Sequence, residues 1–225
     1  MSAPGDPFPT DLILGTPSEI SMPGDRALRV THADAQQSHA IIYLHGMCGD
    51  SKGADPWGDV ATHYGTLIVV RANVPCDDRP GYKWPKDLAE IRERIDAALA
   101  EVKNLRHGWL ETEHPSLIGY SQGAYRAEQL VGAYPGRFPR AMLGGPPTPP
   151  DAFALNSAQA VAVLGGELED HAHMLNGTQA LIDAGLNARF FLLPGVHHGS
   201  YGPQGRAVVS EALRFMFDEP LNRAH

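Results

Sequence analysis

The sequence predicts an α/β fold in which a mostly parallel central sheet carries helices on both faces. Three observations predict it. Short apolar runs recur at residues 40–44, 66–71, just after Pro115, and at 160–164 and 188–193, the first of them β-branched. Stretches whose apolar residues fall three and four apart separate them, and that is helical spacing. Loops rich in Gly, His, Ser and acidic residues follow the apolar runs, and open parallel sheets place their chemistry there, beyond the carboxyl ends of the strands.

Each element has its own signal. Residues 1–26 are rich in Pro, Gly and Asp and read as an arm with a short edge strand at 11–14. Residues 27–32 alternate and predict a strand, and 33–38 is polar and turn-like. The run 40–44 predicts a central buried strand that ends in His45-Gly46-Met47-Cys48-Gly49-Asp50. Asp55-Pro56 predicts a helix start, Asp as cap and Pro at the first helical position, running to about residue 63 before Gly65 stops it. A second central strand follows at 66–71. Residues 76–84 form a loop holding Asp77, Asp78, Pro80, Gly81, Tyr82 and Trp84. Leu88, Ile91, Ile95, Leu99 and Val102 define one face of a helix at 85–103.

The strand that follows Pro115 passes through Ser121 into a helix that turns Ala124, Ala127, Leu130 and Val131 inward and ends before Tyr134-Pro135-Gly136. Strands at 141–143, 160–164 and 188–193 then alternate with helices at 173–184 and 203–217. The last helix faces inward through Val208, Leu213, Phe215 and Met216. No repeat, low-complexity tract or linker interrupts the chain, so 1–225 reads as a single domain with 1–26 as its arm.

Composition removes several function classes. The net charge of -8 argues against nucleic acid or an anionic membrane as a partner, since both require a basic face. No run approaches the ~18 apolar residues of a membrane span. Residues 1–9 lack the basic region and apolar core of a signal peptide, as a cytoplasmic protein or an exported one with its signal removed would. Two cysteines, Cys48 and Cys76, are too few for a disulfide scaffold and match no zinc spacing. Glu169-Asp170-His171-Ala172-His173 places acids and alternating His in one loop, but no third ligand is spaced for a metal, so none is expected.

Gly119-Tyr120-Ser121-Gln122-Gly123 is a Gly-x-Ser-x-Gly turn between a strand and a helix. Such a turn strains the serine backbone and lifts its hydroxyl clear of the sheet edge. The next N–H then points to where an oxyanion forms. A serine needs a base to take its proton, and an acid to orient that base. Gly166-x-x-Glu169 follows the run at 160–164, and Pro194-Gly195-x-x-His198 follows the run at 188–193. On these motifs and Leu44-His45-Gly46-Met47, the chain resembles the α/β-hydrolase superfamily from about residue 27 to 217. Its spacings are similar to those of the small, cap-less carboxylesterase and dienelactone-hydrolase-like branch.

The resemblance implies roles. Ser121 is the nucleophile. Of His197 and His198, the family's Pro-Gly-x-x-His-Gly register selects His198. Glu169 takes the place where Asp is usual, with Asp170 as the alternative acid, and Glu167 reads as a solvated loop residue. The oxyanion donors are the backbone N–H groups of Met47 and Gln122. The interval from Ser121 to Glu169 is too short for a large lid, which implies an open site, with Tyr120 and Trp84, and also Tyr82 and Tyr201, in loops that could line it. The loops carrying Cys48 and Cys76 would emerge side by side, close enough for a disulfide that braces the oxyanion loop; such a bond implies an exported protein, and two free thiols are the alternative. The activity implied is hydrolysis of a small ester or acyl thioester, needing neither metal nor organic cofactor. A peptidase, an acyltransferase or a non-catalytic binding protein on the same fold are the alternatives. Oligomeric state has no signal in the sequence.

Overall fold

Residues 6–218 are described in the computed structural model. The apolar runs become the middle of an eight-stranded sheet. In chain order its strands are β1 (Ser18–Ile20), β2 (Leu28–Thr31), β3 (Ala40–Leu44), β4 (Thr66–Val70), β7 (Ser116–Tyr120), β8 (Arg140–Gly144), β9 (Ala160–Gly166) and β10 (Ala188–Leu193); a separate hairpin pairs β5 (Val74–Pro75) with β6 (Tyr82–Lys83). The spatial order is β1-β2-β4-β3-β7-β8-β9-β10. β2 runs antiparallel to both β1 and β4, and every pair from β4 to β10 is parallel. The predicted fold class is therefore the observed one.

Strand alternation sorts side chains between two cores. Ile42 and Leu44 join Leu117, Val161 and Val163 on one face, under α2 (Leu88–Leu105), α3 (Gln122–Ala133) and α4 (Ala172–Asp183). Ile41 and Tyr43 join Ile118, Ala162 and Leu164 on the other, under α1 (Gly58–Ala61) and α5 (Gly205–Phe217). α2 starts where Asp87 accepts the Ala89 N–H at 2.9 Å, later than Pro85, and buries Ile91, Ile95, Ala98, Leu99 and Val102. Among the described residues no helix is long and apolar enough to cross a membrane.

Four local expectations are corrected. Asp55 does not cap a helix: its carboxylate binds Arg29 at 2.6 and 2.8 Å, and Asp50 instead caps a 3-10 turn over Ser51–Ala54. The helix beyond it shrinks to Gly58–Ala61. The edge strand falls at Ser18–Ile20, and the 11–14 region supplies only a bridge from Leu14 to His32. Val208 is half-buried, and Val209 occupies the fully buried position on α5. The loop at 76–84 was not expected to contain a strand; β6 forms there because the chain doubles back through Gly81, whose φ of +116 suits only glycine.

Candidate active site

The strand-to-helix turn closes on Ser121, which adopts φ 51 and ψ -117. A non-glycine residue held there is strained by about 1–3 kcal/mol, so the surroundings must enforce it. They do so through close backbone approach. A Cβ on Gly119 would collide with the Gly123 carbonyl, and one on Gly123 with the Leu44 carbonyl. Only glycines let α3 descend this closely onto β7 and β3. The Ser121 N–H donates to the Gly144 carbonyl at 2.7 Å, tying the turn to β8.

β9 and β10 deliver the other two side chains. His198 Nε2 stands 2.9 Å from Ser121 Oγ, and His198 Nδ1 stands 2.8 Å from Glu169 Oε2. An ionised carboxylate only accepts, so Nδ1 carries the proton and Nε2 is left to accept from the serine hydroxyl. Glu169 Oε1 accepts the Gly166 N–H at 2.6 Å, so both carboxylate oxygens are engaged and the side chain is only 11% exposed. Asp170 is exposed and accepts the Ala172 N–H at the start of α4, at 3.3 Å. His197 is exposed and has no hydrogen-bond partner among the described residues. The geometry thus brings together Ser121, His198 and Glu169, and leaves His197 and Asp170 outside. Gly145 had no assigned part in the sequence. Its φ is +52, and a Cβ there would come 2.9 Å from His198 Cε1, so the glycine makes room for the ring. The visible signal was a Gly-Gly pair after a strand.

The loop after β3 lies opposite. His45 is buried and holds its turn from both ring nitrogens: Nδ1–H donates to the Gly46 carbonyl at 2.7 Å, and Nε2 accepts the Ala72 N–H at 3.0 Å. Burial lowers its pKa, which suits this neutral tautomer. The Gly46 carbonyl also accepts the Gly49 N–H at 2.9 Å, leaving Met47 at the apex of the turn. Gln122 is the first residue of α3, so its N–H is one of the helix's unpaired terminal donors. Trp84 lies beneath the loop, 2% exposed, and donates from Nε1 to the His45 carbonyl at 2.7 Å. The Trp84 N–H reaches Gln122 Oε1 at 3.0 Å, and Tyr82 accepts the Cys48 N–H at 2.9 Å. Cys48 and Cys76 are joined in a disulfide, with Cα atoms 6.0 Å apart. β3 and β4 are adjacent in the sheet, which brings the two loops together.

No protein-family model and no curated protein matches this sequence. Solved structures do. Esterase PE8 superimposes with a TM-score of 0.63 at 20% identity, over 83% of this chain and 97% of that one. An esterase from Pyrobaculum calidifontis gives 0.61 at 17% identity, over 92% and 84%. The Bacillus cereus carboxylesterase gives 0.57 at 18% identity, over 82% and 93%. The chain has the α/β-hydrolase fold.

On this α/β-hydrolase fold the described residues between β8 and β9 contain no helix, and the site opens directly into a cavity of about 1060 Å³. Its walls are the 45–53 loop, Arg79–Gly81 and the 198–202 loop, with Ser121 and His198 between them. Tyr120 and Tyr201 line it, as does Tyr43, which was not anticipated because it lies within a strand. Two expected lining residues do not. Trp84 is buried behind the loop that follows β3, because its indole N–H is drawn to the His45 carbonyl. Tyr82 is turned to the Arg26 guanidinium, which sits 3.4 Å from its ring centre. His171 and His173 each engage a backbone carbonyl, of Glu169 at 3.0 Å and of Pro146 at 2.9 Å.

Proposed function

We propose that this chain is a serine hydrolase of the small, cap-less carboxylesterase and dienelactone-hydrolase-like branch. It cleaves carboxylic esters or acyl thioesters through an acyl-enzyme. The observation that carries the reading is the relay Glu169–His198–Ser121, with contacts of 2.8 and 2.9 Å, at the edge of an open cavity.

Ser121 Oγ attacks the acyl carbon while His198 Nε2 takes its proton, and Glu169 stabilises the imidazolium. The N–H groups of Met47 and Gln122 receive the oxyanion. Losing one such donor raises a barrier by about 3–4 kcal/mol. His198 then protonates the leaving alcohol or thiol, and water repeats the sequence on the acyl-enzyme. Protein groups and water complete this chemistry, so no cofactor is invoked. The esterase and carboxylesterase names of the neighbouring structures support the reading. The whole chain acts as a single domain, and the Cys48–Cys76 disulfide fits an oxidising compartment.

A serine-directed fluorophosphonate tests this. The expected result is one stoichiometric adduct on Ser121, absent in Ser121→Ala, with ester hydrolysis lost in parallel. A wild-type protein that stays unlabelled and inactive on activated esters and thioesters overturns the reading.

A further inference from the structure

We propose that Tyr120 is a positioning residue: its phenol oxygen holds the tip of the 196–202 loop, so that the His198 ring stays between Glu169 and Ser121. The proposal rests on the serine-hydrolase reading above and adds a group to it.

The loop is anchored firmly at both ends. Val196 is 7% exposed, and its carbonyl accepts the Leu168 N–H at 2.9 Å. Gly202 packs onto Val196 too closely to admit a Cβ. Tyr201 is buried, with its ring 5.7 Å from Trp57 and 5.3 Å from Tyr120. Between these anchors residues 197–200 are exposed. Among the described residues, the Tyr120 hydroxyl is the one group outside the loop that hydrogen-bonds their backbone. It accepts the Gly199 N–H at 2.6 Å.

The position of Tyr120 gives that bond its meaning. It is the last residue of β7 and precedes Ser121 directly. The strand end that aims the nucleophile therefore also holds the base. Its ring lies 5.4 Å from the imidazole, and is only 8% exposed, so the phenol has little freedom. Gly199, at φ +97, turns the chain just after His198 and presents its N–H to the phenol. Without the hydroxyl, the base hangs on an exposed tip fixed only through its own side-chain contacts. Small displacements of a catalytic group are costly, since about 1 Å of misplacement lowers a rate on the order of 100-fold.

Tyr120→Phe keeps the ring and removes only the hydroxyl. With an activated aryl ester it should lower kcat about 10- to 100-fold and leave KM within about twofold. The same change is then made in His198→Ala. If Tyr120 acts through the imidazole, it costs nothing further there, because the group it positions is gone. An equal fractional loss in both backgrounds overturns the proposal, since the hydroxyl then acts on substrate or on the fold. A Tyr120→Phe enzyme with wild-type kcat also overturns it. These failures differ from failure of the serine-hydrolase reading, which would appear as equal ester hydrolysis by wild type and His198→Ala and would overturn both.

Discussion

Glu169 meets His198 with one carboxylate oxygen, at 2.8 Å, and the Gly166 N–H with the other, at 2.6 Å. The second contact fixes the carboxylate plane, so the first has a direction. Asp170, one residue later, faces solvent and accepts the Ala172 N–H at the start of α4. Two adjacent acids have been given separate work by the turn that follows β9.

Glu169→Gln should therefore lower kcat by roughly 10⁴-fold, the scale seen when a triad acid becomes an amide and the imidazole takes the wrong tautomer. Asp170→Asn should stay within about twofold of wild type, since it touches no reacting group. Steady-state kinetics on one activated ester compares them. Equal losses would place the acid wrongly.

How far the sequence reaches is clear from these two residues. The order Ser, acid, His and the strands that deliver them are legible, because β-branched runs and glycine turns are local signals. The choice between Glu169 and Asp170 is not local: it depends on where Val196 and Gly166 meet after β9 and β10 have paired. Trp84 shows the same limit. A tryptophan in a loop looks like a ligand wall, and only the tertiary partner, the His45 carbonyl, turns it inward. The sequence leaves Cys48 and Cys76 open between a disulfide and two free thiols; the structure joins them, because the adjacency of β3 and β4 brings their loops together.

The disulfide closes a segment of 28 residues beside the proposed oxyanion donor Met47. Chain-entropy arguments assign such a loop ~3–4 kcal/mol. Replacing Cys48 and Cys76 together by Ser should lower the unfolding free energy by about that amount in denaturant titrations. It should also lower kcat more than it raises KM, because the loop it braces carries the proposed oxyanion donor Met47. Unchanged stability and unchanged kcat together would remove the bracing role.

Gly145→Ala tests the room left for the base. The new Cβ would stand 2.9 Å from His198 Cε1, on a residue at φ +52. The ring must move, and kcat should fall about 100-fold, with phosphonate labelling of Ser121 slowed in step. Labelling at the wild-type rate would show that the imidazole keeps its place.

Glu128 gives a pH signature away from the site. It lies on the buried side of α3, 6% exposed, with one carboxylate oxygen unpartnered. Burial raises its pKa to about 7, the nearby Asp151 charge adds to the rise, and a hydrogen bond from the Asp151 backbone opposes it. The folded state then holds this proton more tightly than the unfolded chain, whose carboxyl titrates near its ordinary 4.5. Between these values the native state binds more protons, so this group's contribution to stability falls as pH rises from about 4.5 to about 7 and is level above. Glu128→Gln removes the titration. The difference in unfolding free energy between variant and wild type should rise in the variant's favour across that window and stay constant beyond it. Denaturant titrations from pH 4 to 9 measure this (about one unit per step suffices). A flat difference across the window would mean that the Glu128 carboxyl titrates in the folded protein as it does in the unfolded chain.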